Sequence, residues 1–234
     1  MAAPAWLRYS RPMIEADSVV DAERQLMLAY VPPQWRAAIG TLWQLDARLG
    51  DVVATTSEPA VGAIRLAWWR DALLRLDEAP APAEPLLRAV AEKVLPRVAG
   101  ATLATLPEGW GAVLDADPSD VALDSYGLDR GATLFAAAAD LLHAPGEAVR
   151  APGAGWALVD LAHGSRDRGL RIAALAAAGR AMTAWDGRVP RGLRPLGMLG
   201  MLARIDVAAG PDVQRRQGAP SRIARMMRYR MIGR

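Results

Sequence analysis

The residues best suited to chemistry lie between Ser57 and Leu73, in the run Ser57-Glu58-Pro59-Ala60-Val61-Gly62-Ala63-Ile64-Arg65-Leu66-Ala67-Trp68-Trp69-Arg70-Asp71-Ala72-Leu73. Arg65 stands one helical turn before both Trp68 and Trp69, within reach of a cation–π contact. Adjacent tryptophans on a helix diverge by about 100°, so the pair cannot serve one neighbour. The plainer reading is a large buried helix with Trp as core and Arg as rim. A second cluster is Asp120-Val121-Ala122-Leu123-Asp124, two carboxylates one turn apart. They could hold Mg²⁺, or they are an acidic helix start favoured by the helix dipole. The third is the C-terminal run. After Asp212 there is no acid, while Arg215, Arg216, Arg222, Arg225, Arg228, Arg230 and Arg234 follow. Ile223, Met226, Met227 and Met231 give its last helix an apolar side. Such a segment suits an anionic membrane surface or a partner helix, or else a solvated terminal helix docked on the body of the protein. It carries no stacking-aromatic pattern, so nucleic acid is not expected.

The elements that must position these residues are helical. Ser57 or Glu58 can cap the helix that opens at Pro59, where a missing N–H costs nothing. Val61, Ile64, Trp68 and Ala72 recur at helical spacing and predict its inward face, and Asp71 and Arg75 form an i,i+4 pair. Before it, an irregular lead-in over Met1–Asp17 precedes helices over Asp21–Tyr30 and about Pro33–Val53. The second turns Trp35, Ile39, Leu42, Trp43, Leu45 and Leu49 inward and carries Asp46, Arg48 and Asp51 as charges. Asp77–Glu84 is a Pro/Ala linker on the surface. Helices follow over Pro85–Leu95 and from Pro118 to Ala144, the latter interrupted near Gly127–Gly131. Arg97–Asp117 is broken by Gly and Pro, with Trp110 plugging the core. Pro145–Pro152 reads as a turn. Further helices are predicted over Gly153–Gly164, Arg168–Thr183 and Leu196–Ala208, and a last one over about 221–232 capped by Ser221.

Composition narrows the class. The 234 residues are 52% apolar, which excludes a disordered chain and allows one domain spanning residues 1–234. There is no Cys, and His143 and His163 are the only histidines, so thiolate and His-rich metal sites are ruled out. The net charge is +3, and with Lys93 the sole lysine nearly all positive charge is Arg, a donor suited to phosphate and carboxylate. The apolar windows Gly131–Ala144 and Ile172–Ala178 fall short of a membrane span. The first twenty residues lack a signal-type apolar core, which points to a cytoplasmic protein, with peripheral contact at the inner membrane face as a further expectation.

The run Ser-Glu-Pro-x-x-Gly-x-x-Arg-x-x-Trp-Trp-Arg at Ser57–Arg70 resembles the squalene/phytoene synthase family. It is closest to a divergent branch that includes a phytoene-synthase-like assembly factor of respiratory complex I. The resemblance implies an all-α isoprenoid (terpenoid) synthase-like helical bundle around a central cavity. In that family aspartates on two facing helices hold Mg²⁺ ions that draw off pyrophosphate. The first motif maps onto Ala47, Arg48 and Asp51, so Asp51 alone remains as a candidate metal ligand beside an arginine. The second maps onto Trp156–Asp167, with Asp160 its candidate and polar neighbours lost. Arg48, Arg65 and Arg70, with Trp68 and Trp69, would then hold a prenyl diphosphate or an anionic lipid without metal.

The reading that follows is a squalene/phytoene-synthase-like protein that has lost its Mg²⁺-diphosphate machinery. It would act as a non-catalytic lipid- or prenyl-binding accessory or assembly factor with no cofactor, touching a membrane through Arg222, Arg225, Arg228 and Arg230, or a protein partner. The alternative is an active, Mg²⁺-dependent prenyltransferase condensing two prenyl diphosphates, with Asp51, Asp160, Arg65 and Arg70 handling diphosphate. A third reading is a protein-binding module whose cavity is filled by its own side chains.

Overall fold

The computed structural model describes residues 22–115 and 117–234, and every regular element among them is helical. In order they are α1 (Ala22–Ala29), α2 (Pro33–Ala54), α3 (Pro59–Arg75), α4 (Pro85–Lys93), and the short α5 (Gly100–Leu103) and α6 (Thr105–Gly111). Then α7 (Asp120–Ser125), a π-helical segment (Tyr126–Ala132) and α8 (Thr133–Leu141) run on from one another. They are followed by α9 (Glu147–Gly164), α10 (Arg168–Ala181), α11 (Arg194–Ala209) and α12 (Pro220–Ile232). The expected lead-in over Met1–Asp17 and the start of the first helix at Asp21 lie outside the described residues.

α9 is the hub of the bundle. It packs against the π segment, α8, α10 and α11, and every residue from Pro152 to Val159 is buried. A helix apolar on all sides is stable only at the centre of a fold. Its closest neighbour is the π segment. A Cβ added at Gly131 would lie 2.3 Å from the Gly153 carbonyl oxygen, and one at Gly153 would lie 2.5 Å from that of Gly131. Only two facing glycines let the backbones meet at that distance.

Two expectations fail here. The stretch Pro145–Pro152 is not a turn, because α9 already begins at Glu147 and carries Pro152 inside it. Proline forfeits a helical hydrogen bond, but its ring seats against α11. A Cβ on Gly200 would be 2.4 Å from that of Pro152. Burial between two helices offsets the lost bond. Ser221 is not the cap of α12 either. Pro220 occupies the first turn, and the cap residue Ala219 supplies no side-chain bond.

The inward face of α3 also differs from the prediction. Gly62, Leu66, Trp69, Ala72 and Leu73 are buried, while Val61, Ile64 and Trp68 are 45%, 71% and 50% exposed. Apolar residues ring this helix on every side, so periodicity does not select a face; packing on α6 and α5 does. Ser57 and Glu58 were both candidates to cap α3. Glu58 holds the cap position but makes no side-chain cap bond.

Candidate functional site: a buried guanidinium between two aspartates

The interruption expected near Gly127–Gly131 is the π-helical segment, and it carries Arg130. A π turn adds a residue per turn and re-aims the side chain that follows. Arg130 is thereby directed into the bundle, where it has no solvent exposure. Its Nε donates to Asp46 Oδ1 at 2.7 Å, and its Nη2 donates to Asp46 Oδ2 and Asp160 Oδ2 at 2.9 Å each. Nη1 donates to the Tyr126 hydroxyl, one turn back. Trp110 Nε1 donates to Asp46 Oδ1 at 3.1 Å. The guanidinium lies 4.1 Å from the Trp110 ring centre and 5.0 Å from that of Trp156. The partially negative faces of these rings favour the cation where water cannot reach it.

A second arginine closes the cluster. Arg24 of α1, 6% exposed, reaches Asp160 Oδ1 at 3.5 Å and stacks 4.9 Å above the Trp156 ring. Among the described residues two guanidiniums thus face two carboxylates. Burial pushes the Asp46 carboxyl up, but the charge and hydrogen bonds of Arg130 outweigh it, and the group sits below the ordinary carboxylate value. Burial likewise disfavours the charged form of Arg130, yet Asp46 and the other partners hold it well above the ordinary arginine value. Both members of the pair remain charged. Beside the cluster the Trp43, Phe135 and Trp156 rings lie 5.5–5.8 Å apart, centre to centre. These rings come from α2, α8 and α9.

The predicted site residues divide. Asp160 belongs to the buried cluster. Asp51 is exposed on α2. Arg48 reaches Glu84 at 3.7 Å rather than Asp46 or Asp51. Arg65 donates to Thr56 Oγ1 at 2.8 Å and is not stacked on a tryptophan; its aliphatic reach is spent on the α2–α3 loop. Arg70 binds its neighbour Asp71 at 2.9 Å, an exposed pair that replaces the expected Asp71–Arg75 link. Trp69 is core, and Trp68 packs edge-on against it while half exposed. Arg48, Arg65 and Arg70 therefore have three separate partners and share no target. Asp120 and Asp124 both bind Arg180, at 3.2 and 3.1 Å, which makes them a surface ion pair.

Asp46, Arg130, Arg24, Trp110 and Tyr126 are the cluster residues that sequence reasoning did not place in a site. A signal existed for two of them. Asp46 falls on the apolar stripe of α2 with Leu42 and Leu49, and Arg130 falls one turn from Tyr126 and from Leu134. A charge at a core position is a cue for a buried partner.

The C-terminal arginines divide as well. Arg222 is an internal residue: its Nε and Nη2 donate to Glu23 at 2.5 and 3.1 Å, and its Nη1 and Nη2 to Asp206 at 2.5 and 3.0 Å. Arg215 joins Glu23 at 3.1 Å. Burial raises the Glu23 carboxyl, but Arg222 and Arg215 bring it below its ordinary value. Arg230 stacks 5.5 Å from the Tyr30 ring centre. Arg225 and Arg228 are exposed.

Among the described residues these elements define an all-helical bundle with a charge cluster in which Arg130 bridges Asp46 of α2 and Asp160 of α9. The family model for squalene/phytoene synthase matches residues 18–98. That segment spans α1 to α4 and includes Asp46 and the Trp68-Trp69 pair. No curated protein matches the chain, and no solved structure does.

The family implies Mg²⁺, and the donors here do not fit it. A magnesium site needs several oxygen ligands free to face one ion. Among the described residues no three His, Asp or Glu side chains come together. Asp46 and Asp160, the carboxylates that α2 and α9 aim at each other, both bind Arg130.

Proposed function

We propose that this protein is a squalene/phytoene-synthase-like accessory or assembly factor that does not condense prenyl diphosphates. The observation that carries the reading is Arg130: its fixed positive charge lies between Asp46 and Asp160 and binds both. Removal of an allylic pyrophosphate requires cations that can bind with the leaving group and depart with it. A guanidinium tethered to the backbone, saturated by two carboxylates and a hydroxyl, cannot do this. The separate partners of Arg65 and Arg70 support the same conclusion, since no cradle for a diphosphate is assembled from them. The accessory role we assign is at a membrane face, with anionic lipid or a prenyl chain as the ligand class. The excess of arginine, with exposed apolar side chains on the outer helices, supports it.

The test is incubation with farnesyl and geranylgeranyl diphosphate, with and without Mg²⁺, following pyrophosphate release. No release is expected under either condition. Mg²⁺-dependent release would overturn the proposal and favour a prenyltransferase. Binding of the diphosphates that survives chelation of Mg²⁺ would identify a retained pocket.

A further inference from the structure

We infer that α12 is a preformed lipid-docking helix, whose outward face lies flat on an anionic bilayer surface while its inward face is bolted to the bundle. The inference rests on the membrane-face reading above and specifies which surface makes the contact.

The inward side is fixed at both ends. Met226 and Tyr229 are buried, and the Tyr229 hydroxyl donates to the Gly187 carbonyl at 3.0 Å. At the first turn Arg222 is held by Glu23 and Asp206. At the last turn Arg194 Nη1 donates to the Arg230 and Met231 carbonyls at 3.2 and 2.6 Å. Those carbonyls have no partner within the helix, so Arg194 both caps α12 and ties it to α11. The helix cannot rotate to bury its other side.

That other side is unusual for a surface. Met227, Met231 and Ile232 are 44%, 71% and 53% exposed. At 100° per residue they share one arc with the exposed Arg225 and Arg228, opposite Met226 and Tyr229. The linker and helix from Val213 to Arg234 contain no acid. Exposed methionine and isoleucine between unpaired arginines complement a surface with negative phosphates outside and hydrocarbon beneath. An acidic protein groove would neutralise the arginines but leaves the choice of three large flexible apolar groups unexplained. The α3 face, with Val61, Ile64 and Trp68 exposed, has comparable apolar area. There, however, Glu58 lies beside it, and Arg70 is paired with Asp71. Charge complementarity therefore favours α12.

The chain has no cysteine, so single reporters can be placed without altering the background. The full-length protein carrying Met231→Cys or Ile64→Cys, each labelled with an environment-sensitive fluorophore, is mixed with phosphatidylcholine vesicles with and without phosphatidylserine. Wild type is expected to float only with the anionic vesicles, and only the label at position 231 should shift to the blue. Exchanging Arg225→Glu and Arg228→Glu together should weaken partitioning by about thirtyfold or more. Trp68→Ser should leave it unchanged. A wild-type protein that ignores both vesicle types would overturn the membrane-face reading together with this inference. Binding reported by position 64 and insensitive to the α12 exchange would overturn the inference alone, whereas Arg225- and Arg228-dependent binding to an acidic protein or RNA without any to vesicles would overturn both. Neither result bears on pyrophosphate release, so the non-catalytic reading stands or falls separately.

Discussion

The Arg130 cluster and the Arg222 cluster use the same parts, a guanidinium between two carboxylates from different helices, and they serve the fold differently. Arg130 joins α2 and α9 through the π segment in the middle of the bundle, with no exposure on either it or Asp46. Arg222 joins α12 to α1 and α11 near the surface, its side chain 11% exposed. The central pair is wrapped by Trp110, Tyr126 and Trp156, whose ring faces take the place of solvent. The outer one has a second arginine, Arg215, and the Gly218 amide as support. One cluster fills a position where chemistry would need open carboxylates. The other fixes a helix so that its far side can be used. Burial depth separates the two roles, because a charge that cannot be rehydrated must be satisfied permanently.

The comparison breaks most sharply at Arg130. Arg130→Met leaves Asp46 buried without its main partner and should cost about 3–5 kcal/mol in chemical denaturation. Adding Asp46→Asn to that variant should return much of the loss, since Asp160 keeps Arg24 as its partner. If the single variant is as stable as wild type, the centre is not under the electrostatic constraint described. Arg222→Ala should cost less, about 2 kcal/mol, because Arg215 still pairs with both carboxylates it leaves behind. It should also increase proteolysis within α12 before global unfolding.

Acid separates the two clusters from ordinary surface charge. Glu23 and Asp46 have folded values below their unfolded ones. Their contribution is complete above the ordinary carboxylate range and is lost as pH falls through the depressed values. Denaturation midpoints should therefore drop on the acid side, and Asp46→Asn should flatten that slope. His163 gives a smaller effect at higher pH. Burial, then Arg215, holds its folded value below the usual 6.5, so the folded state resists protonation. Wild-type stability should decline as pH falls below about 6.5, and His163→Gln should remove that decline. The smallest expected effect is at Arg180, whose pairs with Asp120 and Asp124 are exposed. Arg180→Ala should leave the unfolding midpoint unchanged, and a clear loss there would remove the distinction drawn from burial.

How far the molecule is legible varies by element. The inward residues Ile39, Leu42, Leu45 and Leu49 of α2 read correctly because a single apolar stripe can face only one way. On α3 the same logic misleads, since Ile64 and Trp68 continue an apolar stripe yet are 71% and 50% exposed. Pro152 reads as a helix stop, yet the glycine opposite it on α11 accommodates the ring. Asp160 reads as a candidate site residue and is part of the charge cluster, its side chain 14% exposed. Its partners were not legible, because Asp46, Arg130 and Asp160 lie on three elements, with Asp46 and Arg130 84 residues apart, and only tertiary packing brings them together.

By itself the sequence determined the helices, most of their limits, the break in the long helix at Gly127–Gly131, and the family resemblance carried by Ser57–Arg70. These are local properties: spacing, caps, breakers and a motif within one helix. The tertiary structure decided which charges meet. It placed Arg130 and Arg24 against Asp46 and Asp160, drew Arg222 inward, and left Arg225 and Arg228 outside on the same helix. The physical reason is that ion pairing depends on distance and burial, and both are set by helices far apart in the chain, whereas helix formation depends on neighbours a turn away.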